Sequence, residues 1–462
     1  MKESERIIPK KNDTKNLRFN FCEVYQNFED NEAINEASRC LNCHNSPCLK
    51  GCVLNNNIPL INSLIKLGKY KEAYEVLIET NPFPSICGRV CQQELQCEKN
   101  CKLNLLKNSE TISIGRLERF LGDKFLNEEI KVDKSKINDI KVAIIGSGPS
   151  GLACAHSLIK DGFNVTIFEK EEQFGGLLTY GIPEFCLPRS IIQNIVDKLK
   201  NAGVIFKNNS KIETKEDFRR LKEAGFDVFF VACGANEPRK MSIEGEDLLG
   251  VLSGSQYLKI TNSKKYLDDP KYKYISEAKS VLVIGGGNSA IDCDRMALRL
   301  GADRVINMYR RSKEEMPARK EEYINAINED VKFIFLANPT KINGNEEGRV
   351  IFVDCIKMKL GELDNSNRRK PIPVEGSDFR ICCDLVIMAL GSTSNNEEIA
   401  KNNALYINKY GYFVVDKETM ETSVENFYAG GDCVSGPDRV VSAIKDGLKV
   451  AKAISKKYKK NS

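Results

Sequence analysis

The chain has 462 residues, 41% of them apolar, with 69 basic against 64 acidic side chains and a formal net charge of +5. That length suits about 2–4 domains with ordinary cores, and charges so balanced and so mixed leave no electrostatic footprint for nucleic acid. No run approaches the roughly 20 apolar residues of a membrane span, and 17 cysteines in a chain this long are not the disulfide framework of a small secreted domain.

The opening residues MKESERIIPKK hold no apolar signal core, so a cytoplasmic protein with no membrane partner is expected. Eight cysteines then fall between residues 40 and 101, as Cys40-x2-Cys43-x4-Cys48-x3-Cys52 and Cys87-x3-Cys91-x5-Cys97-x3-Cys101. Thiolates at such spacing hold iron–sulfur clusters. Around them only short helices are expected: Pro59 is placed to open Leu60 to Leu67, and Tyr70 to Glu79 is amphipathic. Metal clusters would therefore supply much of this region's stability. The polar stretch Asn127 to Asp139 reads as a linker. His44 and His156 read as structural, although His44 beside Cys43 could tune a cluster through its hydrogen bonds.

Lys141 to Ile145 is apolar enough for a buried parallel strand. It runs into Gly146-Ser-Gly148-Pro149-Ser150-Gly151 and a helical stretch to Lys160. In such a loop Gly146 permits the tight turn, Gly148 lets backbone approach a pyrophosphate, and Gly151 allows close packing, with the helix N-terminus facing the phosphates. A second strand, Asn164 to Phe168, ends at Glu169, whose carboxylate can accept hydrogen bonds from ribose hydroxyls.

A second copy follows: strand Ser280 to Ile284, loop Gly285-Gly-Gly287-Asn288-Ser289-Ala290 with alanine in the third glycine's place, helix Ile291 to Leu300, and strand Arg304 to Tyr309. Where the first copy ends on Glu169, this one ends on Arg310-Arg311-Ser312. A guanidinium pair suits a 2′-phosphate that a carboxylate would repel, so this loop should prefer NADP(H). The first copy is the better FAD site. Gly175-Gly176-Leu177 forms a turn able to pass close to a flavin, and Asp432, after Ala429-Gly430-Gly431, can hydrogen-bond the ribityl or pyrophosphate portion.

The expected architecture is α/β: an α-helical iron–sulfur domain (1–135), then two Rossmann-like dinucleotide-binding domains of the glutathione reductase type. FAD binding occupies 136–265 and 390–462, and an NADPH-binding unit, 266–389, is inserted between them. Crossovers are expected near residues 265 and 390. The scattered cysteines of the nucleotide-binding sequence, Cys154, Cys233, Cys293 and Cys355 among them, are expected in cores, and the adjacent Cys382 and Cys383, at a strand edge, are expected to be core or incidental. The basic tail Lys456 to Lys460 is expected to be a solvated terminus.

The runs Ile86-Cys-Gly-Arg-Val-Cys91, Cys97-Glu-Lys-Asn-Cys101, Ile114 to Phe120, Gly175 to Phe185, Tyr309-Arg-Arg-Ser312 with Glu315-Met-Pro-Ala318, and Ala429-Gly-Gly-Asp432 occur in that order. Together they resemble the NADPH-dependent glutamate synthase small (beta) subunit family. The same superfamily includes the NADPH-binding large subunit of ferredoxin:NADP transhydrogenases and sulfide dehydrogenase-type enzymes. The resemblance implies two [4Fe–4S] clusters with interleaved ligands: Cys40, Cys43, Cys48 and Cys101 for one, and Cys52, Cys91, Cys97 and Glu118 for the other, with Cys87 structural. Eight cysteine ligands, zinc or an incomplete cluster are the alternatives. Val53 and Gln92 stand where relatives usually have proline, and Cys186 where an arginine is usual.

The implied activity is oxidation of NADPH through FAD and the clusters toward a partner. No general acid or base is expected beyond groups that position the cofactors. The resemblance makes the glutamate synthase large subunit the leading partner, supporting glutamate formation from glutamine and 2-oxoglutarate. A ferredoxin-reductase-like flavoprotein subunit, as in an electron-bifurcating NADH-dependent ferredoxin:NADP oxidoreductase, is the alternative, with ferredoxin a further candidate partner and a sulfide dehydrogenase-type enzyme the third reading.

Overall fold

The computed structural model describes residues 5–12, 17–106, 109–364 and 368–459. The first four residues and Lys460 of the basic tail lie outside them. The amino-terminal part is helical: Asp30–Ser38, Pro47–Gly51, Ile58–Lys66, Tyr70–Ile78, Pro84–Val90 and Ile114–Lys124. The helix expected from Leu60 starts slightly earlier, because the Asn57 side chain accepts from the Leu60 amide and Pro59 fits the first turn. Ile61, Ile65, Leu77, Leu117 and Phe120 bury against one another beneath the cysteine loops.

Fifteen strands follow among the described residues. They are β1 (Lys141–Ile145), β2 (Asn164–Phe168), β3 (Ile205–Lys207), β4 (Val228–Val231), β5 (Glu237–Pro238), β6 (Val251–Ser253), β7 (Ser280–Ile284), β8 (Arg304–Tyr309), β9 (Lys332–Phe335), β10 (Ala337–Gly344), β11 (Val350–Leu363), β12 (Arg369–Cys382), β13 (Leu385–Met388), β14 (Ser392–Thr393) and β15 (Phe427–Ala429). Two parallel sheets have orders β3-β2-β1-β4-β15 and β9-β8-β7-β13-β6. Each centres on the strand that feeds a glycine-rich loop, so each loop opens at the carboxyl end of its sheet, where dinucleotides bind.

The sheets differ in where their outermost strand comes from. The first takes β15 from the carboxy-terminal stretch, the second takes β6 from before its own first strand. The crossover expected near residue 265 therefore falls earlier: Val251–Ser253 pairs in parallel with Val386–Met388, within the second sheet. A three-residue strand carries too little periodicity to be assigned to a sheet from sequence. The antiparallel pair β5–β14 joins the outgoing and returning connections. A three-stranded antiparallel sheet, β10-β11-β12, extends the second unit and was not expected from its sequence.

Helices Pro149–Lys160 and Val440–Lys459 pack together on one face of the first sheet. Their approach is close enough that a Cβ on Gly447 would lie 2.1 Å from the Ser150 carbonyl oxygen. Cys154, Cys293 and Cys355 are fully buried in the cores. Cys233 is only half-buried, and its thiol hydrogen-bonds with the Cys433 thiol and donates to Asn396 at 3.3 Å. Among the described residues, no helix is long and apolar enough to cross a membrane.

Candidate functional site

The first glycine loop is shaped by steric demands that its sequence meets. Gly146 has φ +107°, and a Cβ there would lie 2.4 Å from the Ala232 carbonyl oxygen. A Cβ on Gly151 would lie 2.1 Å from the Gly146 carbonyl oxygen. Gly148, in contrast, caps the helix Pro149–Lys160 with no atom within 4 Å of its Cβ position. Space left open at a helix N-terminus, where backbone N–H groups are unpaired, is what a pyrophosphate requires. Ser150 adds a buried hydroxyl with no hydrogen-bond partner in that first turn.

Glu169 stands at the end of β2 as expected, but much of its bonding capacity shapes the loop. One carboxylate oxygen accepts from the Ser147 amide at 2.9 Å and the Ser147 hydroxyl at 2.6 Å, and the other accepts from the Glu171 amide at 3.0 Å. Ser147 Oγ in turn accepts from the Gly175 amide at 3.0 Å, fastening the Gly175-Gly176 turn to the loop. A Cβ on Gly176 would sit 2.9 Å from the Gly148 Cα, and Leu177 beyond it is half exposed. Ser147, which nothing in the spacing distinguished, is the residue that joins both halves. Gly431 closes the site from β15: its φ is +76°, its Cβ position is 3.2 Å from that of Ser150, and its amide donates to Asp446 at 3.0 Å. Asp432 follows. Burial pushes its carboxyl up to about 7; the Asp438 and Asp446 carboxylates act in the same direction, and the Asp438 amide opposes them.

The second loop repeats this geometry. Gly285 has φ +150° and its Cβ position is 2.4 Å from the Ala389 carbonyl oxygen, while Gly287 caps Asn288–Arg299 with open space around it. Ala290 is buried in the third-glycine position and Ser289 is exposed in the first turn. Asn288 is committed to the loop's outer support, accepting from the Arg319 amide at 2.9 Å. The structure separates the two arginines after β8. Arg310 is exposed, whereas Arg311 is buried, donating to the Asp364 carboxylate at 2.5 Å and to the Arg369 carbonyl at 2.8 Å on the β11–β12 hairpin. Arg310 is thus the arginine open to a ligand, and Arg311 holds a hairpin that no sequence motif announced.

The cysteines divide into an outer and an inner group. Cys40, Cys43, Cys48 and Cys101, all partly exposed, line one small cavity of about 20 Å³ with Ile58, Pro59 and Ile112. Burial pushes the Cys48 thiol up to about 11, with Cys40 and then Cys101 as its thiol neighbours. The inner group holds Cys52, Cys87, Cys91, Cys97 and Glu118. Burial and then Glu118 raise Cys52 to about 11, and burial, Glu98 and Glu118 raise Cys97. Glu118 itself is pushed up to about 8 by burial, against hydrogen bonds from Asn81 at 2.5 Å and Asn56 at 3.2 Å. These two asparagines were not anticipated from sequence. Cys87 Sγ donates to Asn81 at 3.6 Å and bonds with Cys91, so it lies within the inner group.

Both donor groups suit the thiolate chemistry of an iron–sulfur cluster. Among the described residues no three donors converge on a single metal ion. A cluster binds each thiolate at a different iron, and so takes ligands further apart than one ion does. Cys186 donates to Asp292 at 3.5 Å and accepts from Arg295 at 3.8 Å, against the second unit.

Residues 140–447 match the family described as pyridine nucleotide-disulphide oxidoreductase, and residues 17–130 match dihydropyrimidine dehydrogenase domain II, 4Fe-4S cluster. The glutamate synthase [NADPH] small chain of Escherichia coli is 35% identical over 97% of this chain and 96% of its own length. An NADPH-Fe(3+) oxidoreductase subunit beta from Geobacter sulfurreducens is 34% identical over 90% of this chain, which spans 64% of that relative. Mycobacterium tuberculosis FprA, solved with NADPH, shares the fold with a TM-score of 0.57 over 70% of this chain and 85% of its own, at 19% identity. FAD and NADPH go with the first match and a [4Fe–4S] cluster with the second, which makes this an NADPH-dependent iron–sulfur oxidoreductase. The chain belongs to the NADPH-dependent glutamate synthase small-subunit family, within the pyridine nucleotide-disulphide oxidoreductases.

Proposed function

We propose that this chain is the NADPH-oxidising subunit of a glutamate synthase, passing electrons to a larger partner that forms glutamate from glutamine and 2-oxoglutarate. The observation that carries the reading is likeness along nearly the whole length: the small chain of the Escherichia coli enzyme is covered over 96%, whereas 64% of the Fe(3+) oxidoreductase subunit is spanned. When bound, the nucleotides supply hydride transfer from NADPH to FAD and the clusters supply one-electron transfer outward.

In this reading the protein's own residues hold and orient. Gly148, the first turn Pro149-Ser150-Gly151 and Asp432 hold FAD. Glu169 fixes the loop and keeps acceptor capacity for a ribose hydroxyl. Gly287 and Ser289 receive the NADPH pyrophosphate, and Arg310 its 2′-phosphate. Cys52, Cys91, Cys97 and Glu118 hold an inner cluster; Cys40, Cys43, Cys48 and Cys101 hold an outer one.

The outer cysteines lie on the face that suits a partner. From Arg39 to Lys71 the chain has no acidic residue, Lys50, Lys66 and Lys99 are exposed, and Lys102 and the exposed Leu41 line the outer cysteine cavity. Basic side chains around an apolar rim favour an acidic electron-accepting surface.

Mass spectrometry of what co-purifies with the chain, isolated anaerobically from its native source, tests the reading. A large amidotransferase-bearing flavoprotein is expected. A smaller ferredoxin-reductase-like subunit would overturn glutamate formation in favour of a transhydrogenase.

Asp432 gives a pH test of the FAD site. Its folded pKa, about 7, lies above the usual value near 4, so its contribution to folding is complete below about pH 4 and is lost as pH rises through 7. Ribityl hydroxyls donating to the ionised carboxylate would lower that pKa and release a proton. FAD affinity of the apoprotein should therefore rise with pH between about 5 and 7, by no more than tenfold per unit for one proton. Calorimetry in buffers of different ionisation enthalpy reads the proton directly. An equally steep profile in Asp432→Asn would remove Asp432 from the account.

A further inference from the structure

The residue just beyond the Glu315-Met-Pro-Ala318 run, Arg319, touches both the second glycine loop and the inner cysteine loop. Its amide donates to Asn288 at 2.9 Å, and the preceding amide, of Ala318, donates to the Gly286 carbonyl at 3.1 Å. This backbone segment is therefore pinned to the loop at two successive positions. Its guanidinium points the other way. Nη1 donates to the Arg89 carbonyl at 2.7 Å and Nη2 to the Gln93 side chain at 3.4 Å, so the two contacts flank Cys91 in sequence.

The guanidinium is 11% exposed and borders a cavity of about 460 Å³ between the helical region and the second unit. Its Nε is buried without a hydrogen bond, with the Glu94 carboxylate 3.8 Å away. Nη2 also donates to the Glu321 carboxylate at 3.3 Å, an acid it shares with Arg116, while Arg295 pairs with Glu322 and Glu329 and Arg89 with Glu23 and Asp123. Among the neighbours that act on the Cys91 thiol, raised by its bond to Cys87, then by burial and the charges of Cys87 and Glu118, Arg319 alone opposes the rise.

We infer that Arg319 is a positioning residue that couples the NADPH loop to the inner cluster, holding both loops with one side chain and setting the cluster's reduction equilibrium with its fixed positive charge. A cation in a poorly solvated site favours the more negative, reduced state of a neighbouring cluster. The same residue supports Asn288, so a nucleotide that draws on the loop shifts the guanidinium relative to Cys91. By reciprocity, reduction of the cluster changes NADP+ affinity by the factor by which NADP+ changes the reduction equilibrium. The inference rests on Cys91 being a cluster ligand.

The test is a potentiometric titration of the whole protein followed by paramagnetic resonance, with and without saturating NADP+, for wild type, Arg319→Gln and Arg319→Lys, with iron and flavin measured in each. Arg319→Gln should shift the inner cluster's equilibrium about tenfold toward the oxidised state, 59 mV for one electron, and abolish its dependence on NADP+. Arg319→Lys keeps the charge and loses the forked contacts. It should recover most of the equilibrium but not the nucleotide dependence. An iron-replete Arg319→Gln with unchanged potential and unchanged NADP+ response overturns the coupling. Full iron in Cys91→Ser would instead overturn the ligand reading beneath it.

Discussion

With the two clusters proposed above, replacing Glu118 with alanine is expected to remove about half of the iron and one of two cluster signals while leaving the flavin in place. The carboxylate lies in the inner group, half-buried and held by Asn56 and Asn81. It is the only member of that group that is not a thiol. Electron transfer from NADPH to a one-electron acceptor should fall by more than tenfold, because the residues left would no longer hold an inner cluster. Reduction of the flavin by NADPH should persist.

Alanine also strips two buried amides of their acceptor, at about 1–3 kcal/mol each. Glu118→Gln separates the effects: it keeps an acceptor oxygen for the asparagines but removes the anionic ligand. Cys87 is the competing fourth ligand, since it bonds with Cys91 and is fully buried. Iron analysis of Glu118→Ala and Cys87→Ser side by side decides between them. Full iron and an unchanged spectrum in Glu118→Ala, with loss in Cys87→Ser, would give that inner cluster four cysteine ligands.

The second large effect is expected at Arg310. Its Ala variant should raise the KM for NADPH about 10- to 100-fold with little change for NADH, the factor expected for one hydrogen bond to a charged phosphate at about 1.5–3 kcal/mol. Partial burial and then the neighbouring Arg311 guanidinium disfavour the charge on Arg310, and Arg368 acts the same way. A dianion would relieve that repulsion. Arg311→Ala should behave differently. Breaking its ion pair with Asp364 loosens the β11–β12 hairpin and costs about 1–3 kcal/mol of stability. Its effect on nucleotide choice should be smaller and indirect. Steady-state kinetics with both nucleotides, beside thermal unfolding of each variant, checks the division. Equal loss of NADPH preference in the two variants would return the phosphate to a shared arginine pair.

The two glycine loops were legible in the sequence because their demands are local. A strand must end, backbone must turn at positive φ, and a helix must start beside open space, so Gly146, Gly148 and Gly151, and then Gly285 and Gly287, are dictated within a few residues of one another. The cysteine repeats were legible because each spacing is read within a few residues, but the grouping was not: Cys101 lines one cavity with Cys40, Cys43 and Cys48, more than fifty residues earlier. The direct bonding roles of Ser147, Asn56, Asn81 and Asp364 were not. Each acts on a residue distant in sequence: Ser147 on Glu169, the asparagines on Glu118, and Asp364 on Arg311.

The sequence by itself determined that this chain carries two dinucleotide loops, an acid after one and arginines after the other, and a cysteine-rich helical region. All of these follow from short-range backbone geometry and side-chain chemistry. Only the tertiary structure decided that β6 belongs to the second sheet, that Arg311 is spent on a hairpin while Arg310 stays open, and that Arg319 spans two loops. Parallel pairing and buried ion pairs join residues far apart in the chain, and their partners are fixed by how the folded layers meet.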